Sequence, residues 1–128
     1  MDKGLKILVV DDFSTMRRII KTLLRELGFT HVTEADDGRT ALPKLQSGEF
    51  DLLMTDWDMP GMTGIELLKA VREDEKLANL PVLMIAAEAR RDQILEAVQA
   101  GVNGYIIKPF TVATLQDKLQ RIFERQEV

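Results

Sequence analysis

The stretch Leu5-Lys6-Ile7-Leu8-Val9-Val10-Asp11-Asp12-Phe13-Ser14 decides the fold. Its core, Ile7 to Val10, is short, β-branched and unbroken, the pattern of a strand covered on both faces, so a strand is expected over Leu5–Val10. The period then changes. Met16, Ile19, Ile20, Leu23, Leu24 and Leu27 recur at helical spacing, with Arg17, Arg18, Lys21 and Arg25 assigned to the solvent side. Ser14 is the expected cap of this helix and Gly28 its stop.

The same alternation runs down the chain. His31–Ala35 reads as a strand, and Asp37-Gly38 as a turn into a helix that reaches about Ser47 and stops at Gly48. Pro43 removes a backbone donor inside that helix and is expected to shorten or bend it. Strands follow at Asp51–Thr55, Pro81–Ile85 and Tyr105–Ile107, and helices at Ile65–Arg72 and Asp92–Ala100. A loop from Asp56 to Thr63 separates the third strand from its helix. Thr111 is the expected cap of a last helix bearing Val112, Leu115, Leu119, Ile122 and Phe123 on one side. Strands alternating with helices require a parallel sheet, because parallel neighbours need a crossover connection. The expected fold is α/β, five such units in three layers.

Composition bounds the function. A chain of 128 residues with 45% apolar and 30% charged positions suits one folded domain, residues 1–128, with no second domain to carry an output. The absence of cysteine removes disulfides, thiolate metal sites and cysteine nucleophiles together. With 21 acidic against 17 basic residues the net charge is -4, which removes the usual electrostatic drive toward nucleic acid or anionic membrane. The apolar run that ends at Asp11 is too short for a signal peptide or a membrane span, so a cytoplasmic protein is expected.

Open α/β sheets bind ligands beyond the carboxyl ends of their strands. Here those ends carry Asp11-Asp12, Asp56-Trp57-Asp58, Ala86-Ala87-Glu88 and Lys108-Pro109-Phe110. If the first and third strands are neighbours, Asp11, Asp12 and Asp56 share one pocket and Lys108 faces them. Crowded carboxylates repel unless they are protonated or bridged by a cation, and an oxygen-only donor set suits Mg²⁺. A carboxylate held beside Mg²⁺ and a fixed ammonium is suited to accept a phosphoryl group, with Asp56 as the candidate nucleophile. Taken singly, Asp11-Asp12 reads as a turn or helix cap and Lys108 as a solvated lysine. Their joint placement carries the functional reading.

Val9-Val10-Asp11-Asp12-Phe13-Ser14, Thr55-Asp56-Trp57-Asp58-Met59-Pro60 and Gly104-Tyr105-Ile106-Ile107-Lys108-Pro109-Phe110-Thr111 resemble the receiver domain of two-component response regulators. The likeness is closest to the stand-alone chemotaxis regulators and spans essentially the whole chain. It implies a flavodoxin-like doubly wound sheet in strand order 2-1-3-4-5, for which this family is a standing example. It further implies that Asp56 takes its phosphoryl group from a histidine kinase of the chemotaxis type. Asp12 and Asp56 would bind Mg²⁺ directly, Asp11 through water, and the Asp58 backbone carbonyl would complete the set. Lys108 would pair with Asp56 or its phosphate, across a Lys-Pro bond that is usually cis in the family.

By the same resemblance, Tyr105 is an aromatic switch that reshapes the face formed by the fourth helix, fifth strand and fifth helix. Arg90, Arg91, Lys118 and Arg121 would lie on that face, and a flagellar motor switch protein and the kinase would bind there. Such a domain is a monomer that assists its own phosphorylation and dephosphorylation rather than an enzyme, and whether a phosphatase helps is left open. Read from the residues alone, Tyr105 is equally a strand aromatic packed on a helix, and Arg90-Arg91 a solvated helix start. His31 reads as structural, and the methionines as core filling.

Two positions depart from the family. Ala86 stands where Thr or Ser is usual, and losing a hydroxyl that bonds a phosphoryl oxygen weakens the activated state by roughly 1.5 to 3 kcal/mol. Asp58 stands where Asn is common and, with Glu88, makes the pocket more negative. Two rival readings remain. Ala86 suits a receiver-fold adaptor or phosphate sink with an impaired switch. Asp56-Trp57-Asp58 also resembles the Asp-x-Asp of haloacid dehalogenase-like phosphatases, whose other acidic ligands lie downstream, whereas Asp11-Asp12 lie upstream.

Overall fold

All four residues of the strand Ile7–Val10 are buried, and they alternate between two cores. Leu8 and Val10 join one cluster with Leu53, Leu68 and Val82, while Ile7 and Val9 join a second with Leu24, Leu52 and Leu115. Two-sided burial is why the run shows no polar alternation. The computed structural model describes residues 2–126. In chain order the elements are β1 (Ile7–Val10), α1 (Ser14–Glu26), β2 (Val32–Ala35), α2 (Gly38–Gln46), β3 (Leu52–Asp56), α3 (Gly64–Glu73), β4 (Val82–Ala86), α4 (Arg91–Gln99), β5 (Gly104–Ile107) and α5 (Val112–Gln126).

The sheet is parallel in the order β2-β1-β3-β4-β5, as the family resemblance implied. Buried residues of α1 (Ile20, Leu24) and α5 (Leu115, Leu119, Ile122) cover one face. Those of α2 (Ala41, Leu45), α3 (Leu67, Leu68, Val71) and α4 (Ala97) cover the other. This is the expected three-layer, doubly wound α/β fold.

Several local expectations change. Leu5 and the exposed Lys6 lie outside β1, and His31 is exposed, precedes β2 and offers its backbone carbonyl to Ile7 N at 2.9 Å. Ser14 does not cap α1: it is the first helical residue, and the cap position falls to Phe13, whose side chain makes no capping bond. Ile19, expected on the buried stripe, is 48% exposed. Pro43 sits exposed inside α2 without ending it, because the buried Ala41 and Leu45 hold both sides of the proline against the sheet. Asp37 caps α2 by accepting from Thr40 N at 2.8 Å, and Thr63 and Glu66 form a reciprocal capping box on α3. Thr111 Oγ1 accepts from Thr114 N at 3.2 Å at the start of α5, as expected. β3 runs one residue further than expected and takes in Asp56, since the ladder continues with Trp57 N donating to Ile85 O at 2.9 Å.

Candidate functional site

Register and pleat bring the predicted residues together. Val10 pairs with Thr55, which sets Asp11 abreast of Asp56. Asp56 pairs with Ile85, and Ile85 with Ile106, two residues before Lys108. The period of two continues from Ile7 and Val9 to Asp11, from Leu52 and Met54 to Asp56, and from Ile106 to Lys108, so all three belong to the face covered by α1 and α5.

One carboxylate oxygen from each of Asp11, Asp12 and Asp56 lies within 4.8 Å of the others. Lys108 Nζ stands 3.0 Å from Asp56 Oδ1 and 3.8 Å from Asp11 Oδ2. Asp56 is 3% exposed and Asp11 fully buried. Burial raises the Asp56 pKa to about 6, with the charges of Asp11 and Asp58 adding to the rise and the Lys108 hydrogen bond opposing it. Burial likewise raises Asp11, against the bond its carboxylate accepts from Phe13 N at 2.9 Å. Burial presses the Lys108 pKa downward, but the Asp56 hydrogen bond and the surrounding carboxylates outweigh it and raise the value overall. Asp11 Oδ2 and Asp12 Oδ1 are buried without a hydrogen-bond partner. Orphaned, crowded, oxygen-only donors are what a hard divalent cation satisfies.

The local backbone is built around this cluster. The Lys108–Pro109 peptide is cis. Gly64 N donates to Trp57 O at 2.9 Å, and a Cβ on Gly64 would collide with the Asp56 carbonyl oxygen. Only glycine lets the start of α3 close over the end of β3 so tightly. Trp57 is buried beside the acceptor at 7% exposure.

Other predicted residues lie at the rim or beyond it. Ala86 is buried at the end of β4, pairs with Ile107, and its carbonyl accepts from Lys108 N at 2.9 Å, so it offers a methyl where a hydroxyl was expected. Asp58 is exposed and lines an open cleft of about 390 Å³ with Asp12, Phe13, Met59, Pro60 and Thr63. Tyr105 is half-buried on β5 and donates through its hydroxyl to the backbone carbonyl of Glu88 at 3.4 Å. Burial, then the charges of Asp58, Asp92 and Glu88, raise its pKa. Arg90 and Arg91 open α4, and Lys118 and Arg121 lie on α5. Arg90 pairs with Asp92 at 2.9 Å and Arg121 with Asp117 at 3.2 Å, so neither is drawn to the acid cluster.

Arg17, placed on the solvent side of α1 by its charge, is only 17% exposed. Its Nη1 donates to the Asp11 carbonyl at 2.7 Å and its Nε to Glu34 Oε1 at 2.9 Å. The sequence carries one weak sign of this, since a cation in the first turn of a helix opposes the helix dipole, but it does not name the acceptors.

The sequence pattern of the response regulator receiver domain matches residues 7–120. The chain belongs to the response regulator receiver domain family. This receiver domain is 71% identical over 121 residues to the chemotaxis protein CheY of Pseudomonas aeruginosa, covering 94% of the chain and 98% of the relative. It is 68% identical over 125 residues to the chemotaxis protein CheY-3 of Vibrio cholerae, with 98% and 96% covered. Among solved structures, the CheY4 chemotaxis protein of Vibrio cholerae superposes with a TM-score of 0.86 at 38% identity, covering 93% of this chain and 98% of that one. The receiver domain is thus of the CheY type, a signalling domain of two-component chemotaxis rather than a classical enzyme. No helix among the described residues is long and apolar enough to cross a membrane.

Proposed function

We propose that this receiver domain is a phosphoacceptor whose Asp56 receives a phosphoryl group from a chemotaxis-type histidine kinase. The observation that carries the reading is the convergence of Asp11, Asp12 and Asp56 within 4.8 Å, with Lys108 Nζ at 3.0 Å from Asp56. An Asp56 oxygen attacks phosphorus, the bond from phosphorus to the donor imidazole nitrogen breaks, and an acyl phosphate forms on Asp56. Lys108 neutralises charge on the transferring oxygens from a site that is already in place, which avoids reorganisation at the moment of transfer. Asp12 and Asp56, with Asp11 through water and the Asp58 carbonyl, would hold Mg²⁺. The cation supplies charge stabilisation at the same oxygens. The exposed Asp58 carboxylate and Glu88 add negative charge at the rim and favour the cation.

Output is a change of surface on α4, β5 and α5, where Tyr105 sits between core and solvent and Arg90, Arg91, Lys118 and Arg121 present basic groups. A flagellar motor switch protein and the kinase are the partners this reading assigns to that face, the domain acting as a monomer in the cytoplasm, with a phosphatase able to act on the acyl phosphate. A second reading, an adaptor or phosphate sink with an impaired switch, is favoured by the buried methyl of Ala86, which cannot follow a phosphoryl oxygen inward. Trp57 fluorescence during addition of Mg²⁺ and then a small-molecule phosphodonor tests the site. A response to both, with a weakened Mg²⁺ step and no phosphodonor step in Asp56→Asn, supports the reading; no response to either overturns it.

A further inference from the structure

We propose that Arg17 is a positioning residue for the acidic pair Asp11-Asp12: it pins the peptide plane that joins the two carboxylates without touching any group that binds cation or phosphate. The inference rests on the metal reading above. Asp11 is tethered at three of its four polar atoms. Its N–H donates to Ala35 O at 3.2 Å, its Oδ1 accepts from Phe13 N at 2.9 Å, and its carbonyl accepts from Arg17 Nη1 at 2.7 Å. Only Oδ2 is left without a hydrogen bond, and Lys108 Nζ stands 3.8 Å from it.

The carbonyl of Asp11 and the N–H of Asp12 share one peptide plane. A donor fixed on that carbonyl therefore sets the orientation of both acidic residues at once. Arg17 can be such a donor because it is itself held. Its Nε bonds Glu34 on β2, whose neighbour in the sheet is Val9, two residues before Asp11. Lys21 Nζ, one turn further along α1, meets the other Glu34 oxygen at 3.3 Å. Glu34 is thus shared by two cations, and its pKa is lowered: burial opposes the shift, and the hydrogen bonds from Arg17 and Lys21 outweigh it. The planar guanidinium spans two acceptors in a fixed geometry, the Asp11 carbonyl just after β1 and the Glu34 carboxylate on β2, which one ammonium cannot do. The chain places this cation in the first turn of a helix with no acidic residue there, against the dipole, so the position is accounted for by its two acceptors.

Residues that orient metal ligands from behind alter affinity by about tenfold or more when removed. The test is a titration with Mg²⁺ alone, followed by Trp57 fluorescence at a temperature well below the melting point of every variant. Arg17→Met is expected to weaken Mg²⁺ binding about tenfold. Arg17→Lys and Glu34→Gln should fall between Arg17→Met and the wild type, and they decide the question if Arg17→Met does not fold. Leu24→Ala, on the buried face of the same helix, should lower Tm while leaving Mg²⁺ affinity unchanged. Wild-type affinity in the Arg17 and Glu34 variants, with Tm lowered as in Leu24→Ala, would overturn the proposal and leave the metal site standing. Loss of Mg²⁺ response in Asp12→Ala confirms that the signal reports the site. A wild-type protein that does not respond to Mg²⁺ would instead overturn the metal reading, and the positioning role with it.

Discussion

Lys108 Nζ and Asp56 Oδ1 meet at 3.0 Å from opposite sides of β4, one on the loop after β5 and the other on the last residue of β3. The pair is unequal. Asp56 is nearly enclosed, while Lys108 keeps 19% of its side chain exposed. A single ammonium shared with Asp11 does not offset the cost of enclosing the carboxylate, so the Asp56 pKa stands at about 6 despite its cationic neighbour.

The contribution of Asp56 to the stability of the metal-free protein should therefore fall as pH rises from 4 to 7, read as the difference between the wild type and Asp56→Asn. The unfolded Asp56 loses its proton near 3.8 and the folded one near 6, so in that window the unfolded state binds fewer protons and gains on the folded state. The gap between those two titrations corresponds to about 3 kcal/mol. Asp11, also raised, acts in the same direction. Urea unfolding across this range should show the wild type declining relative to Asp56→Asn, and saturating Mg²⁺ should restore the wild type at neutral pH. Parallel slopes in the two proteins would contradict the assignment.

Ala86→Thr should strengthen coupling between Asp56 and the Tyr105 face. A hydroxyl at this buried position adds one hydrogen bond to a charged phosphoryl oxygen, worth about 1.5 to 3 kcal/mol in the phosphorylated state. Affinity for a partner of the α4-β5-α5 face should rise by about tenfold or more on phosphorylation relative to the parent chain. Equal affinities, with the same phosphorylated-state structure, would remove Ala86 from the account of switching.

Asp58→Asn should weaken Mg²⁺ binding and alter the lifetime of the acyl phosphate. Asp58 contributes charge at both Asp56 and Tyr105 from an exposed position. Its removal changes the field of the pocket without emptying a buried volume. Metal titration and a phosphate-release time course measure both effects, and unchanged values in each would eliminate the claim.

Gly64→Ala should destabilise the fold even though alanine is ordinarily the better helix former by about 1 kcal/mol. The added methyl meets the Asp56 carbonyl oxygen and the Trp57 backbone, neither of which can give way without shifting β3. Chemical denaturation should show a lower midpoint and Mg²⁺ titration a weaker response. A gain in stability would show that the approach of α3 to β3 is looser than described.

Much of this was legible in the chain itself. The alternation of a doubly buried apolar run with a helical stripe pointed to the five units, and the acidic residues at strand ends pointed to the pocket, because both depend on local period and on a general property of parallel sheets. The structure brings Asp11, Asp12, Asp56 and Lys108 together at the strand ends that this reasoning singled out. It did not single out Arg17. A helical wheel sends charge to solvent by default, and the acceptors that draw this guanidinium inward lie in the β1-α1 connection and on β2, a tertiary fact. Arg72 was missed for the same reason: it bonds the carbonyls of Leu80 and Gly101 and the side chain of Asn103, acceptors brought together only by packing. Ile19 failed in the opposite sense, since helical spacing cannot tell the edge of an apolar stripe from its centre.

Intact-mass measurement after exposure to Mg²⁺ and a small-molecule phosphodonor decides whether Asp56 is the phosphoacceptor. The wild-type chain should carry one phosphoryl adduct, absent without Mg²⁺ and absent in Asp56→Asn. An unmodified wild type, or an adduct that persists in Asp56→Asn, would contradict that role.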